Sequence, residues 1–467
     1  MTQAVRLLTR ALRWLGIGLL VLVGLSCLLF VIALLVNARD EPLAPESGAL
    51  LRQPANPYAA ADNIYVALQG FDAPLAESII AAGEARIEQY NRSLDAALRD
   101  PSQANLDRLN LKDPYRLRFK GDITFIRPLE SSVWNEAPQH EQQITTLLAD
   151  NHELMDRYLS LMLLRGYYET QRPSGLGVAP YPFAPSEVRR LFLAQLALQM
   201  RARSRSARQL ALAELEADIK LWRRVLIGEG GLLWKMLSIA FLQSDYLLLG
   251  DLIADGDIDL APREEYADSL VPLFDAGDFD LGRAFAAEFR IQAATLWGPE
   301  VQLHRGAHGW LEEAGSRLTE HFLKPNATVN LLATETRRWM AIAADPAKAG
   351  AAPESPAGWI LPMSYNPVGK ALTIPVTQSY GSYPPRAWDE AALQRLVRAG
   401  YEIRQRRLAP ADLTAFLQAH PQWSTHPVDG RPFLWEAGTG ELRVQTVSQH
   451  PPARRFSIRI WRLAPAG

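Results

Sequence analysis

The sequence predicts a mainly α protein. It has a single N-terminal transmembrane helix, a large helical ectodomain, and a small C-terminal α+β module ending in a three-stranded antiparallel meander. Three observations carry this. Residues 14–36 form an uncharged run of 23 residues in which only Gly16, Gly18, Gly24 and Ser26 are not apolar. From there to residue 344 apolar side chains recur mostly at helical spacing. Over residues 386–467 the pattern shifts from helical spacing to alternation between turn sequences.

Taken in order, residues 1–13 are a basic stub carrying Arg6, Arg10 and Arg13, and no acid occurs before Asp40. The run at 14–36 would span roughly 34 Å as a helix, against a hydrocarbon core of about 30 Å. Positive charge on its N-terminal side predicts a cytoplasmic N-terminus and an exported body, so the expected location is the inner (cytoplasmic) membrane with the body in the periplasm. Val36-Asn37-Ala38 is an acceptable cleavage sequence, but the apolar run is longer than the roughly 7–15 residues of a signal peptide, which favours an uncleaved anchor. Cys27, the sole cysteine, lies inside the run, so the body has no thiol for catalysis, metal binding or disulfides.

Residues 37–57 read as an acidic, proline-bearing tether, and 58–344 as the helical body. Helices are predicted over 75–99, 141–168, 186–203, 207–227, 232–254, 282–296, 300–323 and 328–344, with Gly228-Glu229-Gly230-Gly231 as a stop and turn. Residues 345–385 hold eight prolines and predict an extended arm or linker. The final module, 386–467, reads as helices at 388–407 and 410–420 followed by three strands, the last with alternating Phe456, Ile458 and Ile460.

Within that module, His426-Pro427-Val428-Asp429-Gly430-Arg431-Pro432-Phe433 follows a helix and precedes a hairpin. Residues of about 410–450 thereby resemble the C-terminal turn-hairpin of type II secretion pseudopilin-like proteins. The resemblance implies the local shape only. Position 426 is His where the pattern has Asp, and the apolar helix lies far upstream instead of running directly into the domain.

Composition narrows the function. There are 49 basic against 51 acidic residues, which gives no global electrostatic reason to bind nucleic acid. The average conceals a partition. Residues 251–290 hold 11 acids and three bases, whereas 386–467 hold 12 arginines and seven acids, so the basic module is expected to dock on the acidic segment. A metal reading rests on His304, His308 and Glu312, which at i, i+4 and i+8 share one helix face and could hold zinc, as in an exported metal-dependent hydrolase. No Glu lies between the histidines as in zincins, and a glycine interrupts the helix.

Asp255, Asp257 and Asp259 imitate an EF-hand loop, but Leu260 and Tyr266 stand where glycine and glutamate are needed. The Gly228–Lys235 stretch lacks Walker spacing, and no acyl-transfer motif is present. Arg189, Arg190, Arg201, Arg203, Arg205 and Arg208 cluster on a helix pair that could face anionic lipid or an acidic partner, although a solvated face with i, i+4 partners is the favoured reading. Trp222, Trp234, Trp339 and Trp359 are expected in the core. A ligand-binding ectodomain is a further alternative, with Tyr365, Tyr380 and Tyr383 around a cavity. The leading expectation is a non-catalytic, membrane-anchored envelope scaffold with protein partners and no catalytic residues.

Overall fold

The computed structural model describes residues 2–100, 102–109, 116–175, 183–202, 204–255, 276–297, 319–348, 365–448 and 456–460. Its helices are α1 (Thr2–Val36), α2 (Pro45–Leu51), α3 (Ile64–Gly70), α4 (Ile79–Arg99), α5 (Gln103–Asp107), α6 (Val133–Glu136), α7 (Glu141–Asp150), α8 (His152–Leu161) and α9 (Phe183–Arg201). There follow α10 (Arg205–Ile227), α11 (Leu232–Asp255), α12 (Gly282–Trp297), α13 (Pro325–Ala343), α14 (Pro367–Ser379), α15 (Tyr383–Gln405), α16 (Leu413–Ala419) and α17 (Pro421–Ser424). Strands β1 (Leu434–Glu436), β2 (Glu441–Arg443) and β3 (Ser457–Arg459) pair antiparallel in that order, with Leu442 opposite both Trp435 and Ile458. The chain is therefore mostly helical with one small C-terminal meander.

Among the described residues two helices are long and apolar enough to cross a membrane, and they have opposite fates. From Arg13 to Ile32 the side chains of α1 stand exposed, Leu20 by 73%, as does Leu35 by 70%. By contrast α11 is the central core helix, burying Trp234, Leu242, Tyr246, Leu249 and Leu252 among α9, α10 and α15. One contiguous apolar cluster runs from Ile64 to Ile460 and includes both the helical body and the sheet. Its seam is tight at Ile458: a Cβ on Gly250 would meet the Ile458 side chain at 2.6 Å, and one on Gly400 at 2.4 Å. Trp222, Trp234 and Trp339 all lie in this core.

Several predicted elements are redrawn. The helix expected over 141–168 breaks at Asn151, whose side chain accepts from the Lys120 amide at 2.8 Å and donates to the Lys120 carbonyl at 3.0 Å. Past Leu161 the chain leaves the helix and bridges Gly166 to Asn63 and Tyr168 to Glu229. Residues 365–379, expected as part of an extended arm, instead contain α14, and α15 starts at Tyr383. Of the prolines that suggested extension, Pro367, Pro384 and Pro385 occupy first helical turns, where a missing N–H has no intrahelical partner to lose, whereas Pro375 lies inside α14.

The segment after α1 is docked along its length. Leu43, Leu50 and Leu51 pack on Phe289, Val329 and Leu332 of α12 and α13. Asp40 accepts from the Asn326 and Ala327 amides at 2.8 and 3.2 Å, capping α13, whose own N-cap residue Lys324 provides no side-chain cap. Asn330 ties the same segment down by accepting from the Ala44 amide and Ser47 hydroxyl, both at 2.8 Å, and donating to Glu41 Oε1 at 2.7 Å.

Candidate functional site

The zinc candidates His304, His308 and Glu312 lie outside the described residues, as do Asp257, Asp259, Arg203 and Trp359. Among the described residues no group of three or more His, Cys, Asp or Glu side chains is placed to hold a metal ion.

A grouping of ionisable side chains surrounds the Gly228–Gly231 turn between α10 and α11. The turn's short glycines let neighbours approach: a Cβ on Gly230 would meet Glu169 Oε1 at 2.5 Å. Glu169 Oε1 accepts from the Tyr167 hydroxyl at 2.6 Å and the Gly231 amide at 3.0 Å, and Glu288 accepts from the Leu232 amide at 2.8 Å. Both carboxylates thus satisfy amides at the start of α11, where helix ends leave N–H groups without partners. At the end of α10, buried Lys235 Nζ donates to the Val225 and Gly228 carbonyls at 2.6 and 2.5 Å. Arg290 Nη2 donates to Glu229 Oε1 at 2.5 Å. Burial pushes the Lys235 amine down to about 7 against the pull of Glu169 and Glu229, and burial raises the Glu169 carboxyl.

Glu169, Glu229, Arg290, Tyr65 and Arg172 line a cleft of about 90 Å³. That is small beside the roughly 300–1,000 Å³ of metabolite pockets. Lys235 does not line it, and its two hydrogen bonds point to helix-end carbonyls. The arrangement is a polar knot joining α10, α11, α12 and the 166–171 segment. Sequence reading did not single out Glu169 or Arg290, because they meet Glu229 from far along the chain on either side and only the fold juxtaposes them.

A second buried network corrects the basic cluster. Arg189 is not on a lipid- or partner-facing surface: its side chain is 2% exposed and bonds Asp218 at 3.1 Å, the Phe241 carbonyl at 2.7 Å, and Asp245. Asp218 also accepts from the Tyr158 hydroxyl at 2.6 Å and the Trp222 indole at 3.1 Å. Burial works against the guanidinium's charge, and Asp245 and Asp218 outweigh it, holding its pKa above the ordinary arginine value. Arg201 is exposed at residue level but lies over the buried Trp134 ring, 4.2 Å from its centroid.

A groove of about 670 Å³ lies between α6, the end of α11 and the sheet. Arg201 and Arg459 face it together with Asp251 and Glu441, so its lining mixes both signs of charge. The three tyrosines of the ligand-binding alternative take separate packing roles. Tyr380 is buried against Phe285 and bonded to Gln292, Tyr365 receives the Glu41 amide at 3.0 Å, and Tyr383 lies beneath Arg386. His426 is buried and pairs with Asp389 at 3.1 Å, and Asp389 also accepts from the Val447 and Ser448 amides. Because the Val428 amide donates to His426 Nδ1, the Nε2 atom carries the proton toward Asp389.

Most polar groups of these networks bond to helix ends, loops or one another, with Asp245 Oδ2 buried and without a hydrogen-bond partner. No family model, curated protein or solved structure matches this chain.

Proposed function

We propose that the protein is a single-pass, membrane-anchored envelope protein, held by α1 in the inner membrane with residues 1–13 cytoplasmic and the body periplasmic. The helical body serves as a non-catalytic scaffold that presents surface to protein partners. The observation that carries this reading is the contrast along α1. Its apolar side chains stand exposed from Trp14 to Val36 except at half-buried Ala33 and Leu34, and the next residue, Asn37, is fully buried in the body. An exposed apolar surface of that length is costly in water and is relieved by lipid. Asn37 Oδ1 accepts from the Asn366 amide at 2.8 Å, so cleavage after Ala38 would remove a partner from a buried N–H. An uncleaved anchor is the state in which those bonds persist.

A fusion of alkaline phosphatase after Gly467 tests the topology, and the expected outcome is active enzyme with all of the chain in the membrane fraction. An inactive fusion overturns the orientation. A mature chain shortened by residues 1–38 overturns the anchor.

A further inference from the structure

We infer that the body makes a second contact with the bilayer, through helical residues 319–322, with the Phe322 ring seated in the acyl layer of the outer face of the membrane beside α1. This rests on the reading of α1 as a membrane span and adds a peripheral foot to it.

Three observations place that foot. The first is depth. The Phe322 ring lies against Phe30, with centroids 6.3 Å apart. Phe30 is six residues before Val36, which at about 1.5 Å per residue is roughly 9 Å along the helix from the end of the apolar run. With a hydrocarbon core of about 30 Å centred on a run of this length, a side chain at that level is in acyl chains, not in headgroups or water.

The second observation is how α1 ends. The last carbonyls of a helix lack intrahelical partners, and in an apolar medium each one left bare costs several kcal/mol. Here three of them, on Ala33, Leu34 and Leu35, are closed by protein. The Asn37 side chain donates to the Ala33 carbonyl at 2.8 Å, and the Ala38 amide turns back to the Leu35 carbonyl at 3.2 Å. The Leu34 carbonyl is met by His321 Nε2 at 3.0 Å. A residue from 287 positions away supplies the bond that water would supply at a solvated helix end.

The third observation is rigidity. Asn37 is bonded to Asn366, Asp40 caps α13, and the Asn366 side chain accepts from the Lys324 amide at 2.9 Å. The joint therefore sets residues 319–322 at a definite height along α1 instead of letting a loose leash move them. Glu320 and Phe322, two apart on a helix, project to opposite sides, so seating the ring in lipid does not draw the acid in with it.

Nitroxide accessibility in the full-length protein tests this. In a Cys27→Ser background, reconstituted in phosphatidylethanolamine/phosphatidylglycerol nanodiscs, labels are placed at Leu22→Cys in mid-span, Phe322→Cys, and Gln418→Cys on exposed α16. Power saturation is read against oxygen, which partitions into lipid, and a water-soluble nickel chelate. Position 322 is expected to favour oxygen as position 22 does, with position 418 reversed toward nickel. Oxygen preference at 22 together with nickel preference at 322 overturns the foot and leaves the anchor standing. Nickel preference at 22 overturns both.

A photoreactive benzoyl-phenylalanine at 322 repeats the test without removing the aromatic ring. A phospholipid-mass adduct is expected at 322 and 22 and not at 418, and an adduct at 22 alone overturns the foot.

Discussion

Arg189, Asp218 and Asp245 are three charges at core positions on three helices, each in register with apolar neighbours. Arg189 shares its stripe with Phe192, Leu196 and Met200, and Asp218 with Leu215, Trp222 and Val225, all of them buried. That register was legible in the sequence; the pairing across helices was not, since periodicity marks a face and says nothing of the partner opposite. Replacing Arg189 by Met leaves two buried carboxylates without their cation. The expected loss is about 3–5 kcal/mol, measured by urea unfolding of the detergent-solubilised protein.

Glu390 is the converse case. It is completely buried, its oxygens lack a well-formed hydrogen bond, and Gln243 is the polar side chain facing it. Burial, with Asp389 beside it, raises its pKa well above the usual carboxylate range. The folded state therefore keeps a proton that the unfolded chain releases near pH 4. Stability from this group is complete below that pH and is lost as pH rises toward the folded value. Glu390→Gln is expected to be more stable than the wild type at pH 8, with the gap closing toward pH 4, in melting curves taken across that range.

At the scale of elements, the boundaries that local chemistry controls were readable and those imposed by neighbours were not. The α10 start is an example of the first kind: Ser204 accepts from the Ala207 amide as an ordinary cap. The break at Asn151 and the capping of α13 by Asp40 are of the second kind, since both use partners remote in sequence. Asp40→Ala is expected to weaken the first turn of α13 by about 1 kcal/mol, read as faster hydrogen exchange at the Asn326 and Ala327 amides with little change elsewhere.

The α3–α4 crossing tests packing. A Cβ on Gly83 would come within 1.9 Å of the Val66 carbonyl oxygen, so the helices touch backbone to backbone there. Gly83→Ala must push them apart and is expected to cost roughly 1–3 kcal/mol in thermal or urea unfolding.

For the molecule as a whole, the charge partition suggested that the basic C-terminal module docks on the acidic segment by attraction. Residues 256–275 of that segment lie outside the described residues. Where the module meets α11, the described contact is mainly apolar, with Ile458 set over Gly250 and Gly400, and its polar part includes Gln243 facing buried Glu390. Of the nearby described acids, Asp251 receives the Ser132 hydroxyl and Asp278 pairs with Arg223 at 2.6 Å. Apolar docking is insensitive to screening, so small-angle scattering is expected to give the same radius of gyration at low and high salt. Truncating Ile458 to Ala is expected to cost about 2–5 kcal/mol and to speed hydrogen exchange in α11 as well as in the sheet.

What the sequence by itself determined follows from interactions between near neighbours along the chain. They are the apolar run of α1, the helical periodicity of the body, the turn-and-alternation pattern of the meander, and the positions of its caps and glycines. The tertiary structure decided what depends on groups far apart in sequence meeting in space. It folded a proline-rich stretch into α14, took Arg189 from the surface into an ion network, gathered Glu169, Glu229 and Arg290 around one turn, and sealed the end of α1 with His321. The physical reason is the same in each case. A buried charge, amide or carbonyl must find a partner, and the partner is chosen by which helices pack together, not by what lies a few residues away.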